Sequence, residues 1–145
     1  MSDATLTDVL DAVQTQLNTN ITSLKVHRHL PDSVSEFPIG MIYSRAGRMD
    51  SVRPLQARNF FTIAIDIYTD RQDLSGAMLE LEPYPDLIQQ AIFKDISLGG
   101  VIDHAGIGED EPTMTYELGS FKYGGTDVLG YRFEINVKAH RNITA

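Results

Sequence analysis

Leu6, Val9, Leu10, Val13 and Leu17 recur every three or four residues, which predicts an amphipathic helix over residues 5–17. Thr5 or Thr7 suits its N-cap, Asp8 and Asp11 suit its positive end, and "NTN" at 18–20 terminates it. The period then changes to two. "TSLKVHRHL" (22–30) alternates briefly and predicts a short edge strand, and "FPIGMIYSR" (37–45) reads as a buried strand. "NFFTIAIDIYT" (59–69) carries the strongest strand pattern: Phe61, Ile63, Ile65 and Ile67 share one face, Phe60, Thr62, Ala64, Asp66 and Tyr68 the other. Helical period returns at Leu74, Ala77, Met78, Leu81, Leu87, Ile88, Ala91 and Ile92. Pro83 and Pro85 interrupt it, so we expect two pieces or a kink near 82–85, with Pro85 opening the second piece. Residues 100–106 and 113–123 suit further strands, and "GYRFEINVKAH" (130–140) alternates cleanly. The predicted order is α-β-β-β-α-β-β-β, a single α+β domain whose mixed, mainly antiparallel sheet is covered by two helices. Its expected core sets Phe61, Ile63, Ile65, Phe133, Ile135 and Val137 beneath Leu6, Leu10, Val13, Leu74, Leu81 and Ile88.

Composition narrows the chemistry. The 145 residues include no cysteine, which excludes disulfides, thiolate metal sites and cysteine nucleophiles. The opening "MSDATLTDVLDAV" has acids where a secretory leader needs bases, and no run approaches the ~18 apolar residues of a membrane span, so we expect a soluble protein made in the cytoplasm without membrane contact. A formal net charge of −8 repels nucleic acid over most of the surface.

No motif demands catalysis. "FKDISLGGVID" runs helix, Gly99-Gly100, strand, whereas a phosphate loop runs from strand into helix, so these glycines read as a helix C-cap. "KYGGTD" reads as a turn, and "AGIGEDEP" lacks the helix of a dinucleotide fingerprint. His27 and His29 would share a strand face but lack a third metal ligand. Asp103 beside His104 could orient a general base, yet the nearby hydroxyls are scattered and a solvated pair is the simpler reading. Glu109, Asp110 and Glu111 lack the spacing of a calcium loop and read as an acidic partner-facing or solvated loop. We assign no catalytic, cofactor-binding or metal-binding residue.

One signal remains. Arg45, Arg48, Arg53 and Arg58 fall within one segment, with Asp50 the sole acid among them. That segment, too long for a tight hairpin, is expected to be a mobile loop or a pair of extended arms. A basic arm on an acidic body suits head-to-tail assembly, with Glu109, Asp110 and Glu111 as one acidic counterpart. Nucleic-acid contact is the competing use, weakened by sparse aromatic interleaving. A small hydrolase or metal enzyme built on Asp103 and His104 is the third class.

The chain as a whole resembles the tail terminator (minor tail, or tail-completion) proteins of long-tailed bacteriophages. The likeness lies in "TLTDVLDAVQTQL", in "LPDSVSEFPIGMIY" leading into a buried strand, in "FFTIAIDIYTDRQDL" leading into a helix, and in "DISLGGVID" leaving it. "ELEPYPD", whose prolines break the second helix, departs from that pattern. The resemblance implies a small α+β virion protein that forms a ring, typically a hexamer, at the head-proximal end of the tail. Such a ring stops tube growth and faces the head–tail connector. Its partners would be itself, the tail-tube protein and the connector, with DNA only passing through the lumen. Another neck or tail-tube component is the near alternative.

Overall fold

The computed structural model describes residues 4–28, 37–70, 74–95, 104–105, 114–123 and 125–143. The expected Gly99 cap, Asp103, the Gly106 and Gly108 loop, the acidic run Glu109–Glu111 and His29 lie outside these residues, as does the side chain of His104.

The chain is of the α+β class. Helix α1 (Leu6–Asn20) is followed by β1 (Lys25–His27), β2 (Ile39–Arg53) and β3 (Gln56–Asp70). Then come α2 (Leu74–Leu81), α3 (Tyr84–Phe93), β4 (His104–Ala105), β5 (Met114–Tyr123) and β6 (Thr126–Asn142). The expected second helix is thus two helices. Pro83 stands at the N-cap of α3, and Pro85 lies in its first turn, where its missing N–H costs no hydrogen bond.

The strands form one mixed sheet in the order β1-β2-β3-β6. On the far side of β6, β5 pairs along residues 126–135 and β4 at 137–138. Only β1 and β2 run parallel; the other pairs are antiparallel.

Each element has a local cause. Thr5 caps α1 through a capping box: its hydroxyl accepts from the Asp8 N–H at 3.2 Å, and the Asp8 carboxylate accepts from the Thr5 N–H at 2.9 Å. "NTN" does not stop the helix at 17. Asn18 is its last-turn link to β1: its amide accepts from the Val26 N–H at 2.9 Å and donates to the Val26 carbonyl at 3.2 Å. A side chain thereby satisfies the outer backbone groups of a three-residue edge strand. The turn between β5 and β6 is tight, with Tyr123 opposite Thr126 and Gly125 at φ +81°, as "KYGGTD" predicts.

The helices cover one face of the sheet. Val9, Val13 and Leu17 of α1 and Leu81, Ile88 and Ile92 of α2 and α3 are fully buried against Ile63, Ile65, Ile67, Phe133, Ile135 and Val137. Two expectations need correction. Leu74 is not a core residue but 52% exposed, because α2 is short and turns Ala77 and Leu81 inward. Phe61 and Leu6 lie at the core's margin rather than within it. Gly130 has a steric role that periodicity does not reveal. A Cβ there would collide with the Ile67 carbonyl oxygen and lie 2.7 Å from Tyr68 Cδ1 on the neighbouring strand. Gly130→Ala is expected to lower stability by about 1–3 kcal/mol in urea unfolding, because a tightly packed site must shift to admit the methyl group. An unchanged midpoint would show that β3 and β6 separate freely there.

Candidate functional site: a basic arm on an open sheet face

β2 and β3 are each 15 residues long, about 50 Å when extended. Their two halves differ. Residues 63–69 of β3 are buried, whereas no residue of β2 from Tyr43 to Arg53 is buried. The segment expected to be a loop or extended arms is a pair of arms, closed by the two-residue turn Pro54-Leu55 that its length had argued against. Interruptions of the ladder at Ser44/Ala46 and Ser51/Arg53 shift the alternation. The end of β6 lines the arm as a third strand, with Gln56 opposite Asn142 and the Ile143 N–H donating to the Leu55 carbonyl at 2.8 Å.

Register places the arginines. Directly paired residues share a sheet face. Arg48 opposes Phe60, which opposes Lys138; Arg58 opposes Asp50; Arg53 opposes Gln56. Phe60, Arg58 and Gln56 alternate onto the face opposite the helices, so Arg48, Arg53 and Arg58 lie there with Lys138. Arg45 joins them through an ion pair with Glu134 on β6. All four arginines therefore lie on one face of the sheet.

Their local contacts are weak. Arg48 is 3.3 Å from the Asp50 carboxylate and stacks at 4.3 Å over the Phe60 ring, with Arg58 at 5.6 Å from the same ring. The Arg45 side chain is half exposed, and such pairs stabilise by about 0–1 kcal/mol. Two of the four charges, Arg45 and Arg48, are thus paired with carboxylates of the same face, and the cluster keeps a net positive charge.

Beneath the arm, on the same face, lies a cluster that the strand pattern does not reveal. Asp66 is fully buried. Its carboxylate accepts from Arg132 Nε at 2.9 Å and Nη2 at 3.1 Å, from Tyr68 Oη at 2.7 Å and from Tyr43 Oη at 3.1 Å. The guanidinium in turn lies 4.8 Å above the Phe121 ring. Four strands meet at one carboxylate: Tyr43 from β2, Asp66 and Tyr68 from β3, Arg132 from β6, with Phe121 of β5 as lid. The hydrogen bond to Asp66 raises the Arg132 pKa further above its ordinary value, so the guanidinium stays charged. Burial first, then the hydrogen bond and charge of Asp66, push the Tyr68 hydroxyl well above the usual tyrosine range. Burial and the Asp66 charge also raise Tyr43.

A buried carboxylate with a forked arginine and two phenols resembles a catalytic cluster in composition. Its geometry is that of a support. Three of its four hydrogen bonds join neighbouring strands, the fourth lies within β3, and both carboxylate oxygens are occupied. Among the described residues, no three His, Asp or Glu side chains are placed to hold a metal ion.

The raised tyrosines make stability pH-dependent. A group whose folded pKa lies above its unfolded value stabilises fully below the unfolded value, about 10 for tyrosine, and that contribution is lost as pH rises through the folded value. The urea midpoint should be level from neutral pH to about pH 9 and fall above about pH 10. Tyr68→Phe should flatten that fall; an equally steep fall in this variant would remove Tyr68 as its cause.

The chain matches no model of a known protein family, and no curated protein is significantly similar to it. Among the described residues, no helix is long and apolar enough to cross a membrane.

Proposed function

We propose that this protein is a structural, non-enzymatic subunit that assembles with copies of itself into a ring, in the manner of a phage tail terminator. The observation that carries the proposal is the arm: a three-stranded extension with four arginines on one face, projecting from a chain of net charge −8. Such polarity favours contact between unlike surfaces of successive copies, and unlike surfaces close into rings when the rotation permits. The four stretches that resemble tail terminators point the same way. A place at the head-proximal end of the tail tube, with the tube protein and the connector as partners, follows from that resemblance. Another neck or tail-tube position is the near alternative.

Phe60 favours a second reading. It lies between Arg48 and Arg58, with Lys138 across from it, so cations and an aromatic ring share an open face as in single-strand binding grooves. Asp50 and Glu134 interrupt that surface, which weighs against a phosphate track. Light scattering and negative-stain imaging test the main reading: the expected result is a species of several-fold monomer mass, or rings on purified tail tubes. A monomer that ignores tubes and is retained on DNA in a salt-dependent manner would favour the second.

A further inference from the structure

We propose that the tip of the arm inserts into the groove between α3 and β5 of the next copy, with Leu55 as its anchor; this rests on the ring-forming reading above.

The tip carries unexplained apolar surface. Met49 is 82% exposed, and Val52, Leu55 and Ile143 are about half exposed. Leu55 stands out because its φ is +63°, in the left-handed region that glycine adopts without penalty and a leucine does not. An exposed leucine there stabilises neither the turn nor the core. Its side chain is open to use by another surface.

The groove is the matching surface. It has a volume of about 530 Å³, and Pro85, Phe93, Met114 and Tyr116 line its apolar part, with Asp86 at its rim. Tyr116 and neighbouring Leu118 remain 55% and 43% exposed on the helix side of the sheet. Charge matches as well. Residues 74–93 contain Glu80, Glu82 and Asp86 and no lysine or arginine, while residues 45–58 contain four arginines and one acid. All three acids are exposed.

Within one chain the tip cannot reach this groove. Leu55 is bonded to Ile143, and Phe133 at the groove lies ten residues back along the same extended chain, about 30 Å away. The occupant is therefore a second copy, and the contact is head-to-tail. Tip and groove are different patches, so a copy with its tip seated still offers a groove and the contact can propagate and close as a ring; a species of twice the monomer mass would instead mark a reciprocal pair and overturn the ring.

The absence of native cysteine permits a clean test. Leu55→Cys and Gln89→Cys variants are oxidised separately and as a mixture, at low salt and high concentration. The expected result is a disulfide-linked pair in the mixture alone, since bridging needs Cα atoms within about 7 Å. Self-linking by Leu55→Cys would show tip-to-tip contact and overturn the proposal. Rings seen by light scattering without a cross-link in the mixture would overturn this docking and leave the ring reading standing. Monomers throughout, with the native protein retained on single-stranded DNA, would overturn both. Leu55→Gly separates docking from folding: it should keep or raise the unfolding midpoint, yet increase the concentration needed for half-assembly about tenfold. Assembly unchanged in Leu55→Gly would remove Leu55 as the anchor.

Discussion

Arg132→Met should destabilise the fold by about 3–5 kcal/mol, the largest single-site effect expected outside the hydrophobic core. Methionine keeps the apolar stem beneath Phe121 but removes the forked donor. Asp66 would then stand fully buried with only the Tyr43 and Tyr68 hydroxyls to satisfy a carboxylate. The cost comes from the stranded charge, more than from the net strength of the native pair. A second variant separates the two. Asp66→Asn added to Arg132→Met removes the charge and should recover a substantial part of the loss, a coupling readable by a double-mutant cycle in urea. A loss below about 1 kcal/mol in Arg132→Met would show that water reaches Asp66 and that the cluster is not a support.

This cluster also shows where sequence reading stops. Asp66 lies in "AIDIY" and Arg132 in "GYRFE", each on the polar side of its strand, and local alternation assigns both to solvent. Their union depends on the β3–β6 register, which sets Asp66 opposite Arg132 across a sequence separation of 66 residues. No local period encodes that. Helix α1, β3 and β6 are legible because one period runs unbroken through each and the capping signals agree with it. β2 is legible only up to Arg45. Beyond it the ladder breaks, Gly47 offers no side chain, and polar residues occupy both faces, so the pattern does not separate a loop from a pair of extended arms. The charge cluster on that segment is visible in the sequence, but its placement on one face is not. The apolar tip is missed for a simpler reason: Met49, Val52 and Leu55 are scattered single residues until the turn gathers them. Leu74 fails in the opposite sense, since it fits the helical stripe that α2 is too short to bury.

Replacing Arg45, Arg48, Arg53 and Arg58 together by glutamine should leave a folded monomer and abolish assembly. Folding survives because each arginine's internal partner is only partly buried. The Arg45–Glu134 and Arg48–Asp50 pairs contribute about 0–1 kcal/mol each, and the stacking on Phe60 about 0.5–1 kcal/mol at an exposed site, part of which the glutamine stem retains. The body is untouched, since the α1 capping box, the Asp66 cluster and the buried residues of β3 and β6 lie outside the substituted positions. Assembly behaves otherwise. In the proposed ring, four cations on one face would act on a single acidic surface and that contact would repeat at every interface, so modest pairwise contributions would add around it. Native assembly should accordingly weaken as salt screens the contact beyond a Debye length of about 8 Å at physiological ionic strength. The checks are circular dichroism with urea unfolding for the fold, and light scattering across a salt series for assembly. A quadruple variant that still assembles at physiological salt would show that the apolar tip suffices and that the arginines are a solvated face. Loss of DNA retention in that variant, with oligomeric mass unchanged, would instead assign the arm to nucleic acid.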